Sequence, residues 1–67
     1  MNNVVIVRME HARRLSYCAS GVRALAARYG FDYLDFLQNG IASDKLLEAT
    51  NNDAMVVAVV EVARELG

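Results

Sequence analysis

Sixty-seven residues allow one domain, 1–67. Cys18 is the single cysteine and His11 the single histidine, which excludes a disulfide within the chain and falls short of the four ligands of a structural zinc. The net charge of −1 hides a sorting: residues 1–30 carry five arginines against Glu10, giving +4, whereas residues 31–67 carry Lys45 and Arg64 against seven carboxylates, giving −5.

Two readings of that sorting stay open. The halves attract each other through weak surface pairs of about 0–1 kcal/mol each. Alternatively, a basic and an acidic face each await a partner of opposite sign. A chain this short buries only about 60% of its unfolded surface. Its apolar content of 55% therefore points to a dense core or a buried interface. No basic or long apolar region follows Met1-Asn2-Asn3, so no secretory signal is expected. A lone free thiol suits a reducing compartment, which places the protein in the cytoplasm.

In chain order, Asn3 to Arg8 reads as a short strand, with Val4 and Ile6 on one side and Val5 and Val7 on the other. No other stretch is a convincing strand to pair with it. It is expected either to lie on the helices as an extended arm or to pair with its copy in a homodimer. Met9, Ala12 and Leu15 repeat at helical spacing, which puts Arg13 and Arg14 on the wet side. Ser16, Ser20 and Gly21 predict a break near 16–20, the alternative being one bent helix. The next helix opens at Ser20 or Gly21, with Val22, Leu25, Ala26 and Tyr29 on one face and Gly30 as its left-handed stop.

Asp32 is the expected cap of a third helix, with Asp35 in its first turn. There Tyr33, Leu34, Phe36 and Leu37 cover more than one face, and Asn39-Gly40 ends the element. Ile41 reads as a hydrophobic anchor. Ser43 reads as the cap of a fourth helix, Asp44 to about Thr50, with Leu46 and Leu47 inward. Asn51-Asn52 is a turn, and Asp53 caps the last helix, through Leu66.

That last segment decides the architecture. From Ala54 to Ala63 only Glu61 is polar. Valines favour strands, yet apolar residues occupy both parities and the run exceeds the usual strand length. It is too short to span a membrane, which takes about 20 apolar residues. A helix with no wide wet face must be wrapped by other elements. The expected fold is mainly α: a bundle of four to five short helices around a buried C-terminal helix, with a short N-terminal strand or arm.

Chemistry is sparse. On a continuous helix His11 and Cys18 would stand about 10 Å apart along the axis, too far for a Cys–His pair. Gly21, Gly30, Gly40 and Gly67 are isolated, so no phosphate loop is formed. No catalytic residues, metal or cofactor are expected. Leu25 to Phe31 has the form of the first helix and turn of a helix-turn-helix, but the second helix would carry Asp32 and Asp35 and no Lys or Arg. Carboxylates there would be repelled by phosphates. The nucleic-acid alternative therefore rests on nonspecific contact by Arg8, Arg13, Arg14, Arg23 and Arg28. Tyr17, Tyr29, Phe31, Tyr33 and Phe36 gather around the second and third helices. They serve mostly as core, with Tyr33 ringed by charge as a candidate interface anchor.

Arg8-Met9-Glu10-His11-Ala12-Arg13, Cys18, Gly21, Arg23, Arg28-Tyr29-Gly30-Phe31-Asp32, Phe36, Gly40-Ile41, Asp53-Ala54-Met55 and Val59-Val60-Glu61-Val62-Ala63 together resemble a group of small proteins encoded by bacteriophages and prophages. The similarity runs over nearly the whole chain. Where similar proteins tend to have glycine before Asp-Ala-Met, this chain has Asn52, which also tolerates the left-handed conformation. The resemblance implies origin and supplies no catalytic residues. It also implies a stoichiometric mode of action in the host cell, as a non-enzymatic accessory that binds a host or virion protein. That accessory would be an anti-CRISPR-like inhibitor of a host defence complex or a morphogenesis factor. The expected partner-binding surface is acidic and aromatic: Asp32, Tyr33, Asp35, Asp44 and Glu48.

Overall fold

The computed structural model describes residues 4–66. Asn3, the expected first strand residue, and the Met1-Asn2-Asn3 start lie outside the described residues. The elements are β1 (Ile6–Val7), α1 (Met9–Arg14), α2 (Ala19–Tyr29), α3 (Tyr33–Asn39), β2 (Ile41–Ala42), α4 (Ser43–Ala49) and α5 (Ala54–Leu66). The architecture is mainly α with one short antiparallel sheet.

The valine-rich segment is a helix. α5 buries Val56, Val59, Val60 and Ala63, residues spaced to lie on one face, against α1, α4 and β1. Val7, Met9, Ala12, Val22, Phe36 and Leu46 complete the core. The cover is not uniform. Val57, Ala58 and Val62 are half-buried, while Met55 and Leu66 at its two ends are exposed. No helix among the described residues is long and apolar enough to cross a membrane.

Local chemistry sets the helix ends. Gly30, at φ 80°, closes α2 with its N–H donating to the Ala26 carbonyl. Asp32 caps α3 by accepting from the Leu34 and Asp35 N–H groups. Asn51 and Asn52 both take positive φ in the turn before α5, and Asp53 Oδ1 accepts the Met55 N–H at 2.9 Å. The break between α1 and α2 is real, since Ser16 sits at φ 64°, so the bent-helix alternative does not form. α2 starts at Ala19, one or two residues earlier than the expected Ser20 or Gly21.

Two expectations are corrected. The N-terminal strand neither lies unpaired on the helices nor needs a second chain for a partner. Ile6 pairs with Ala42 and Val7 with Ile41, antiparallel, within the same chain. Ile41 is thus a strand residue and not merely an anchor. Gly40 makes the approach feasible: at φ 74°, a Cβ there would sit 2.5 Å from Ile6 Cγ2 and 2.8 Å from the Val7 carbonyl oxygen. Ser43 does not cap α4 with its side chain. Ala42 is the capping residue, and Ser43, fully buried as the first helical residue, has its hydroxyl accepting the Val5 N–H at 3.1 Å. Its own N–H donates to the Val5 carbonyl at 2.8 Å. The N–H of half-buried Val5 needs an acceptor, and that demand claims the hydroxyl.

Candidate interaction surfaces

α3 is the element least absorbed by the core. Of its seven residues only Phe36 is buried, edge-on to Phe31 at 6.2 Å between ring centres. Leu34 stands two positions earlier, about 200° around the axis, and so points away from the protein. It is 65% exposed, and Leu37, one turn on, is 42% exposed. Asp35 and Gln38 flank them, also exposed. This outward face is apolar at its centre and acidic at its edge.

The five residues of the acidic-aromatic set have mixed surroundings. Asp32 is exposed but committed to the α3 cap. Asp35 accepts from the Asn39 side chain at 2.7 Å, and Asp44 accepts from the Lys45 N–H at 2.9 Å. Tyr33 is half-buried, with the Arg23 guanidinium 5.4 Å from its ring centre. Asp44 and Glu48 are exposed one turn apart on α4. Leu34 and Leu37 were not singled out from the sequence. The signal was present, because a seven-residue helix with apolar residues on opposite sides cannot bury both.

Among the described residues, none of Arg8, Arg13, Arg14, Arg23 or Arg28 forms an ion pair with a carboxylate. The charge sorting is therefore not consumed by pairing between the two halves. The arginines do not gather on one helix face either. Arg23 and Arg28, five residues apart, diverge by about 140° around α2. Arg23 reaches Tyr33, while Arg28 lies over the ring of Tyr29. A short turn joins α2 to α3, and the exposed side of α3 displays leucines and carboxylates.

Arg28 also borders a short polar contact between two helices. The Tyr29 hydroxyl donates to Asp53 Oδ2 at 2.6 Å, tying the end of α2 to the start of α5. That hydrogen bond, helped by the Met55 and Val56 N–H groups and the Arg28 charge, holds the Asp53 carboxyl below its usual range. The same bond pushes the Tyr29 hydroxyl up.

His11 and Cys18 occupy separate surroundings. His11 is buried at the third position of α1, and its Nδ1 accepts the Arg8 N–H at 2.9 Å. It takes the place that Glu or Gln fills in a capping box, which requires the proton on Nε2. Cys18 is exposed at the start of α2, its Sγ 3.2 Å from Ser20 Oγ. The Ser20 hydroxyl and the Gly21 N–H lower its thiol pKa. No three His, Cys, Asp or Glu side chains converge on a metal-sized site among the described residues. An apolar cavity of about 20 Å³ lies under α2, lined by Val22, Leu25, Phe36, Val56 and Val59. It has room for about one water and offers no polar partner to hold it, so it is a packing gap.

Searches of family models, of curated proteins and of solved structures found nothing that matches this chain.

Proposed function

We propose that this protein is a small accessory protein of bacteriophage or prophage origin. It acts in the host cytoplasm, without catalysis, by stoichiometric binding to a host or virion protein. A host defence complex is the first target to test, and a morphogenesis role the second. The binding surface is the outward side of α3 with its acidic surroundings: Asp32, Tyr33, Leu34, Asp35 and Leu37, extended by Asp44 and Glu48 on α4.

One observation carries this reading. In a chain with little core to spare, α3 spends Leu34 and Leu37 on solvent, next to carboxylates. Exposed leucines ringed by charge suit a contact with an apolar centre and a polar rim. The carboxylates select a partner that is basic around an apolar patch.

The test is capture from infected host lysate, followed by titration of the captured protein against the purified chain. Wild type is expected to saturate at an integral ratio. Asp35→Lys/Asp44→Lys/Glu48→Lys is expected to retain its fold and lose capture. Unchanged capture by that triple variant would refute the acidic surface.

A second reading has one observation in its favour, the five arginines that form no ion pair among the described residues. It makes the protein a nonspecific nucleic-acid binder. A mobility-shift series separates the two, because phosphate binding weakens steeply with added salt.

A further inference from the structure

Asn39 is the one asparagine that a glycine follows; Asn2, Asn3, Asn51 and Asn52 each precede a residue with a side chain. The distinction is chemical. The backbone nitrogen of the following residue can attack an asparagine side-chain amide, and a Cβ on that residue obstructs the five-membered ring that forms. Glycine has no Cβ and the widest backbone freedom, so it obstructs least. Asn39 is exposed, so water reaches its amide.

The fold holds the reacting groups apart. Asn39 is the last residue of α3, and its Nδ2 donates to Asp35 Oδ1 at 2.7 Å. The Gly40 nitrogen, the nucleophile, donates its hydrogen to the Phe36 carbonyl at 2.9 Å. Ring closure turns the Asn39 backbone away from helical ψ and releases both bonds. Only the last turn of α3 has to open for this. Leu37, Gln38 and Asn39 are all exposed there, and a helix end with few buried contacts opens at low cost.

We propose that Asn39 is a deamidation site whose rate is set by opening of the last turn of α3. In the open turn the Gly40 nitrogen gives its proton to a solvent base, and its electron pair forms a bond to Asn39 Cγ. The Cγ–Nδ2 bond breaks, and Nδ2 takes a proton from solvent and leaves as ammonia. Water then opens the succinimide. Cleavage between Cγ and the Gly40 nitrogen leaves aspartate at position 39. Cleavage between the backbone carbonyl carbon and that nitrogen leaves an isoaspartyl link, with the main chain one carbon longer. In sum an amide and a water become a carboxylic acid and ammonia, and nothing is oxidised or reduced.

Both products disturb the end of α3. The new carboxylate stands one turn from Asp35 and at the negative end of the helix, two unfavourable placements. The isoaspartyl link also displaces Gly40, whose backbone lies so close to Ile6 and the Val7 carbonyl that a Cβ has no room. The proposal does not rest on α3 being a binding surface, since it concerns only the chemistry of its last turn.

Peptide-mapping mass spectrometry of the full chain tests it, with samples aged at mildly alkaline pH in buffer and in urea. In buffer, the peptide holding Asn39 is expected to gain the mass of an amide-to-acid conversion and to give both aspartyl and isoaspartyl forms. The rate is expected to be roughly ten- to a hundredfold below that in urea, because two hydrogen bonds are lost on opening. Asp35→Ala removes one of them and is expected to raise the ratio of the buffer rate to the urea rate about fivefold. Asn39→Gln, which would have to close a six-membered ring, is expected to leave that peptide unchanged. An Asn39 that stays an amide in the folded chain would overturn the proposal. So would equal rates in buffer and urea, or an Asp35→Ala chain with the same ratio as wild type.

Discussion

α5 and α3 are both rich in apolar residues, and they spend them in opposite directions. α5 turns Val56, Val59, Val60 and Ala63 inward, where burial of apolar surface stabilises the fold by roughly 25 cal/mol per Å². α3 keeps Phe36 inside and leaves Leu34 and Leu37 in water. The difference teaches which residues the fold needs and which it can release for contact with another molecule. Capping makes the release workable. Asp32 and Gly40 fix both ends of α3, so one buried phenylalanine is enough to hold it in place.

The contrast can be broken most severely at α5. Val60→Asp places an uncompensated carboxylate at a site that is 1% exposed, and the chain is expected to lose its cooperative thermal transition. Next is Gly40→Val, which forces a branched side chain at positive φ into the Val7 carbonyl. It is expected to cost on the order of 3 kcal/mol in urea unfolding, because β1 and β2 can no longer approach. Val56→Ala removes two buried methyl groups and leaves a small cavity. An expected loss of about 2 kcal/mol sharpens the comparison by giving α5 a scale.

Tyr29→Phe is milder, and its signature lies in pH. Asp53 has a folded pKa below its unfolded value of about 4. Its contribution is present above that unfolded value and is lost as pH falls through the folded one. Tyr29 has a folded pKa above its unfolded value of about 10. Its contribution is complete below that value and is lost as pH rises through the folded one. Tyr29→Phe is therefore expected to lower Tm modestly at neutral pH. It should also flatten the stability profile below about pH 4 and above about pH 10, as read from unfolding midpoints across pH.

What could be read from the sequence was what is local. Gly30, Asp32, Asn51, Asn52 and Asp53 announce helix ends by conformations or hydrogen bonds confined to a few residues. The valine run declares a helix by its length and parity. β2 could not be read, because Ile41-Ala42 is a strand only by virtue of β1, some 35 positions earlier in the chain. The same long-range pairing diverts Ser43 from capping to the Val5 N–H. His11 filled a capping role more usual for Glu or Gln, so its spacing drew no notice. At the candidate surface, the carboxylates and Tyr33 were legible as charge around an aromatic ring. Leu34 and Leu37 were not, because apolar residues on both sides of α3 do not reveal which side the bundle takes.

The most direct measurement pairs a stability curve with a binding curve for Leu34→Ser/Leu37→Ser. The account expects an unfolding free energy within about 1 kcal/mol of wild type together with loss of partner capture, since Leu34 is 65% exposed and Leu37 42% exposed. A drop comparable to that of Val56→Ala, or capture that survives unchanged, would contradict it.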